Sequence, residues 1–270
     1  QRHGAIMTAK TLLVDADVLA YTAVLRHEAA IEWLPGFYTW QANLELARDS
    51  AERLLDIAME SVGATAYMLA LTDVDANWRH RVLPSYKMNR KGGRKPLALL
   101  PLRDMFVAEH GALIVPTLEG DDILGVWATG GYKTDSVVWS IDKDLKTIPC
   151  EYMREIPKPG EDAEIVTITE AQANWYHLFQ TLMGDTTDGY TGCPGIGPKR
   201  AEKLLPENRE VPAEEVREVW QDAIVPAYTK AHLSEAEALV QARVARILRK
   251  GEYSKKRKEV NLWTPDGSHT

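Results

Sequence analysis

Cysteine is nearly missing from this chain: only Cys150 and Cys193 occur in 270 residues. Their spacing forms no pair, which excludes a disulfide framework or a thiolate zinc site and predicts a reducing, cytoplasmic setting. Long apolar runs are missing too. None approaches the ~18 residues of a membrane helix, so no membrane partner is expected, and no secretory signal is read. No histidine has metal-site spacing to His80, and there are no internal repeats or low-complexity tracts. Positive charge is not in excess either: 32 Lys and Arg face 39 Asp and Glu, a net charge of −7. That balance leaves a plain acidic enzyme open. Gln1 to Ile6, ahead of Met7, are set aside as foreign to the fold.

What is present is carboxylate where strands should end. Asp15 closes Leu12-Leu13-Val14, and Asp73 follows Leu69-Ala70-Leu71-Thr72. Then come Glu119-Gly120-Asp121-Asp122, Asp142-Lys143-Asp144 and Gly184-Asp185-Thr186-Thr187-Asp188. Setting these nine acids aside as ion ligands leaves 30 acids against 32 bases, which reverses the sign of the charge.

The length suits one large domain, or a main domain with a smaller lobe, able to bury a substantial core. Thr11–Asp15 and Ala66–Leu71 read as buried strands, and 112–115 and 136–140 as strands. Helices are predicted after Asp15 and over 41–62, 97–110 and 121–128, the second from apolar spacing at Leu44, Ala47, Ala51, Leu54, Leu55, Ala58 and Met59. Alternating strands and helices predict an α/β fold with a mostly parallel central sheet flanked by helices. After Thr169 the pattern turns helical, with a short strand over 259–263. The division falls near Met183: an α/β core over 7–183 and a helical lobe over 184–264. In parallel sheets sites form at the carboxyl ends of strands, where these acids fall.

Each acidic motif has a bland alternative. Asp142-Lys143-Asp144 fits a solvated turn, and Glu119-Gly120-Asp121-Asp122 fits the acidic first turn of a helix. Their conjunction points elsewhere, because acids gathered at one sheet edge repel unless divalent cations sit between them. Two ions ~3.5–4 Å apart serve phosphodiester cleavage, and all-oxygen ligands favour magnesium or manganese over zinc.

Two basic features accompany the acids. Gly195-Ile196-Gly197 runs into Pro198-Lys199-Arg200, with Lys203 one turn on. Glycines permit close backbone approach, and a helix N-terminus offers free amides, so a DNA backbone is the expected partner. A glycine-capped helix connection is the alternative. The second feature is an exposed, mobile basic segment over 84–101, carrying Lys87, Arg90, Lys91, Arg94 and Lys95 around Gly92-Gly93. Lys87 and Arg90 are placed to reach a scissile phosphate and Tyr86 to stack on a base. Lys255-Lys256-Arg257-Lys258 reads as a solvated charge run.

Taken in order, these motifs resemble the 5′-nuclease superfamily of flap endonucleases and polymerase 5′-nuclease domains. Val14-Asp15-Ala16-Asp17, Asp73 with Trp78-Arg79, and Tyr86-Lys87-Met88-Asn89-Arg90 carry the first half. Glu119-Gly120-Asp121-Asp122, Asp142-Lys143-Asp144-Leu145 and Gly184-Asp185-Thr186-Thr187-Asp188 with the glycine hairpin carry the second. Trp175-Tyr176-His177-Leu178-Phe179-Gln180-Thr181 and Ala245-Arg246-Ile247-Leu248-Arg249 resemble the 5′–3′ exonuclease branch of T-seven-like phages.

The resemblance implies a PIN/5′-nuclease-like sheet, a basic arch near 84–101, and a helix–three-turn–helix gripping duplex DNA with a potassium ion. It implies that Asp15, Asp73, Glu119 and Asp121 hold one Mg²⁺ or Mn²⁺. Asp121 bridges to a second ion held by Asp142, Asp144 and Asp185, with Asp122 and Asp188 outside. Lys87, Arg90 and Arg79 are then the catalytic cations, and Tyr86, Gly195, Ile196, Gly197, Lys199, Arg200 and Lys203 the DNA contacts. The implied partners are duplex, nicked or flapped DNA or an RNA–DNA hybrid, with replication proteins and a monomeric enzyme in the host cytoplasm. Two other readings fit parts of the sequence. Val14-Asp15-Ala16-Asp17-Val18 resembles a haloacid-dehalogenase-type phosphatase motif, and the hairpin alone fits a DNA-binding protein without catalysis.

Overall fold

The computed structural model describes residues 10–90 and 92–267; the leader ahead of Met7 and Lys91 lie outside the described residues. The first strand, β1 (Thr11–Asp15), shows why a short apolar run settles as buried strand. Successive side chains alternate between faces. Leu12 and Val14 enter one apolar cluster and Leu13 the other, so both faces of the strand are covered.

On one face lie α1 (Ala16–Leu25), α2 (Leu44–Val62) and α4 (Leu99–His110), packing Leu19, Leu55, Leu102 and Phe106 against the sheet. Between α1 and α2 runs a hairpin of β2 (Glu28–Leu34) and β3 (Phe37–Ala42). Strand β4 (Ala66–Leu71), the one-turn α3 (Arg79–Val82) and β5 (Leu113–Ile114) complete this half. The opposite face is covered by α5 (Gly120–Ala128), which leads to β6 (Ser136–Trp139), β7 (Cys150–Met153) and β8 (Ile165–Ile168).

The six strands lie in the order β5-β4-β1-β6-β7-β8, parallel except for the β7–β8 pair. The chain builds outward from β1 on one side and then crosses to build on the other. The carboxyl end of β1 is therefore a topological switch point, where a crevice opens.

From Thr169 the chain is helical. The Thr169 hydroxyl caps α6 (Glu170–Met183), and α7 (Pro198–Leu204) follows. Next, α8 (Val216–Val219) runs through a π turn (Trp220–Ile224) into α9 (Val225–Lys230), and α10 (Glu235–Ala245) is the last helix. Trp175, Leu178, Trp220, Tyr228 and Trp263 form this lobe's own core. Beyond α10 the chain returns to the sheet layer, where Ile247 and Leu248 pack on α5. A methyl group on Gly125 would stand 2.3 Å from the Leu248 carbonyl oxygen, so α5 and the returning segment meet backbone to backbone. The terminal pair β9 (Tyr253–Ser254) and β10 (Glu259–Val260) replaces the strand expected over 259–263.

Three expectations need correction. The helix expected over 41–62 starts at Leu44, because Asn43 caps it and Gln41 and Ala42 finish β3. The β2–β3 hairpin and the β7–β8 pair were not anticipated. And the 84–101 segment is not uniformly exposed and mobile: Tyr86 is 2% exposed, and Asn89 and Arg90 donate to the carbonyls of Thr186 and Thr187.

Candidate active site

Asp15 ends β1 and caps α1. One carboxylate oxygen accepts the amides of Asp17 (3.1 Å) and Val18 (3.0 Å), and the other accepts the Ser140 hydroxyl at 2.7 Å. Burial pushes this carboxyl up to about 6, and the charge of Asp142 adds to it. Asp121, in the first turn of α5, is driven well above the usual carboxylate range by desolvation and by Asp15, Asp142 and Glu119. Asp142 accepts the Asp144 amide at 2.9 Å, while Asp144 itself accepts Gln180 Nε2 at 2.6 Å. Burial raises Asp144 to about 7, helped by Asp142, Asp188 and Asp185.

A second set of acids is already neutralised. Burial would raise Glu119, but Lys87 and Arg79 outweigh it and hold it at about 2. Lys87 Nζ donates to Glu119 at 2.6 Å and lies 3.5 Å from Asp188, which also pairs with Arg90. Lys143 sits 2.8 Å from Asp185 and, against burial, depresses its carboxyl. Among the described residues no three acid, imidazole or thiol groups surround one point at coordinating distance. The cleft thus has two halves: carboxylates of Asp15, Asp121, Asp142 and Asp144 that repel one another, and carboxylates held by lysine and arginine. An all-oxygen donor set under mutual repulsion suits a hard divalent cation.

Several predicted site residues take other roles. Asp122 is fully buried and accepts from Arg79 (2.8 Å, both oxygens), Trp78 Nε1 (2.9 Å) and the Leu248 amide (3.2 Å). Its lone pairs are committed, so it anchors Arg79 rather than an ion. Arg79, 2% exposed, also donates to Glu119 and to the carbonyls of Val244 and Arg246, so it does not reach a substrate phosphate. Tyr86 cannot stack on a base. Its ring is buried, and its hydroxyl donates between Glu119 (3.1 Å) and Asp188 (2.9 Å). Asp73 is half-buried, with its oxygens on the amides of Asp75 (3.0 Å) and Thr117 (2.8 Å). Lys87 adopts φ +53°, a conformation costly for a side chain with a Cβ, and its amide donates to Asp188 at 2.7 Å.

The glycine hairpin follows α6 through a tight neck. A methyl group on Gly184 (φ +71°) would stand 2.3 Å from the Thr191 carbonyl carbon. Gly195 has φ +74°, its carbonyl accepts Arg200 at 2.8 Å, and Ile196 packs into the lobe core. Ile196 is therefore an anchor, while Lys199, Arg200 and Lys203 lie on the exposed surface. Asp185 follows the C-terminus of α6 through Gly184.

Sequence reasoning missed Ser140, Lys143 and Gln180. Lys143 was visible between two marked aspartates. Gln180 gave no local signal, since it meets Asp144 from 36 residues away.

The fold and cleft define a class of enzyme. The T5 5′-exonuclease, in a structure with divalent metal ions (zinc), superposes with a TM-score of 0.59 at 16% identity, covering 87% of this chain and 88% of that one. The chain belongs to the 5′-nuclease family and is a nuclease. Along its sequence it is similar to the exodeoxyribonuclease of Enterobacteria phage T3, 34% identical over 94% of this chain and 92% of the relative. It is likewise similar to the exonuclease of Escherichia phage T7, 33% identical over 94% and 93%. No family model matches the chain.

Proposed function

We propose that this nuclease is a divalent-metal-dependent 5′–3′ exonuclease with flap-endonuclease capacity, cutting phosphodiesters near 5′ ends of duplex, nicked or flapped DNA. The observation that carries the reading is the convergence of Asp15, Asp121, Asp142 and Asp144 from three separate segments onto one sheet edge, three of them with raised carboxyls. Two Mg²⁺ or Mn²⁺ ions suit the chemistry of this all-oxygen donor set, and the acids would draw in from their present spacing to hold them. Asp15, Asp121 and Glu119 would hold one, with Asp73 outside; Asp121, Asp142, Asp144 and Asp185 would hold the second, with Asp188 outside. Bound there, the ions supply the positive charge that a phosphodiester displacement needs at its attacking and leaving oxygens.

Lys87 and Arg90 stand on the carboxylates that such ions would claim. Released from Glu119 and Asp188, they turn to the scissile phosphate, with the Lys87 backbone still fixed by its bond to Asp188. Lys199, Arg200 and Lys203 grip the duplex backbone, and Gly195 and Gly197 leave room for it and for a potassium ion. The core over 7–183 performs the chemistry and the lobe over 184–264 positions the duplex, with RNA–DNA hybrids as further substrates. In this reading the protein is a monomeric enzyme of DNA replication, primer removal or recombination in the host cytoplasm, working beside replication proteins.

Asp142→Asn and Asp144→Asn test the assignment, because an amide removes the charge a divalent ion requires. Each is expected to lower magnesium-dependent cleavage by at least ~10²-fold while duplex affinity stays within a few-fold. Wild-type cleavage rates in either variant would remove these residues from the site.

A further inference from the structure

Between the β7–β8 edge and α6 lies a cavity of about 720 Å³. Its floor is aromatic and rigid. Trp175 stacks on Phe179 at 5.2 Å and 12°, Tyr176 lies 5.9 Å from Phe179 at 29°, and Trp175 Nε1 donates to the Pro206 carbonyl at 2.9 Å. Cations ring this floor: Lys146 stands 5.8 Å from the Tyr176 ring, Arg209 5.6 Å from the Trp175 ring, and Arg154 lines the wall.

One end of the cavity abuts the carboxylate cleft. Tyr152, in its wall, directs its hydroxyl to the carbonyls of Ser140 (2.7 Å) and Asp142 (2.9 Å). The Tyr176 phenol, raised chiefly by burial, also feels Asp144, Asp142 and Asp185. We propose that this cavity receives one unpaired nucleotide of the DNA beside the scissile bond, its base against the half-buried Tyr176 ring and its phosphate against Lys146. The proposal rests on the nuclease reading above.

Charge supports a base over a bare stretch of backbone. Glu155, Glu164 and Glu202 line the cavity together with the three cations, and Arg209 is occupied by Glu202 at 2.8 Å. A pocket without net charge does not concentrate a polyanion, whereas a neutral heterocycle gains from stacking on Tyr176. Lys146 is left at the rim for a single phosphate. Stacking is indifferent to base identity, so the pocket would accept any base.

The test uses the full chain in EDTA, where cleavage is silent. Duplexes carry 2-aminopurine at each of the first three 5′ positions in turn, and overall binding is followed by anisotropy. The wild type is expected to quench one of these positions strongly, and Tyr176→Phe to retain the quench. Tyr176→Leu and Lys146→Ala are expected to lose it and to weaken capture of that end by ~5- to 100-fold, with unchanged thermal unfolding. Quenching that survives in Tyr176→Leu, or no quenched position in the wild type despite normal binding, overturns the pocket and leaves the nuclease reading intact. Absence of DNA binding by the wild type both in EDTA and with magnesium overturns both.

Discussion

Arg79 shows how much a single side chain decides. Buried with Glu119 and Asp122, it joins the one-turn α3, the start of α5 and the backbone that returns beyond α10. Removing one partner from such a group strands the other as an unpaired buried charge. Arg79→Met is therefore expected to cost about 3–5 kcal/mol in urea unfolding, and a cost below 1 kcal/mol would contradict the network. His177 makes a second prediction. Burial and the nearby Arg246 hold its imidazole well below 6.5, and its Nε2 is 2.8 Å from the Ala242 carbonyl. Below pH 6.5 the unfolded chain takes up a proton that the folded chain refuses, so stability falls as pH falls, by up to about 1.4 kcal/mol per pH unit. Unfolding measured at pH 7 and pH 5 is expected to show a smaller drop in His177→Gln than in wild type; equal drops would mean that His177 titrates normally when folded. The acids were legible from residue type and position. Their partners were not, because Arg79 meets Arg246 across 167 residues and no local pattern encodes that contact.

Among the elements, buried parallel strands were the easiest to read. β1, β4 and β6 are continuous apolar runs, which only a sheet covered on both faces produces. The β2–β3 hairpin escaped because its side chains, among them Trp33, Phe37 and Tyr38, stay exposed and leave no half-buried alternation. Pro35-Gly36 at its turn is the local cue to the hairpin. The contact between α5 and the returning segment was invisible, since Gly125 sits in an otherwise ordinary apolar helix. It yields a prediction at this scale. Gly125→Ala places a methyl group against the Leu248 carbonyl and must separate the two segments, at a cost of about 1–3 kcal/mol in chemical denaturation. No loss of stability would show that the segment packs elsewhere.

Across the whole molecule, the cleft acids and the glycine hairpin are tied at short range. The hairpin begins at Gly195, and α6 delivers Asp185 and Asp188 just before it through the Gly184 neck. The 86–90 turn closes on Asp188 through Lys87 and Arg90. A duplex held by Lys199 and Lys203 would therefore present a strand end to the carboxylates, with Lys87 and Arg90 over it. The measurement that tests this most directly is a duplex labelled separately at its 5′ and 3′ ends and digested with magnesium. The account predicts early release of the 5′ label as mononucleotide or short 5′-phosphorylated pieces, no release in EDTA, and a 3′ label retained in long product. Early loss of the 3′ label, with the 5′ label kept in long product, would contradict it.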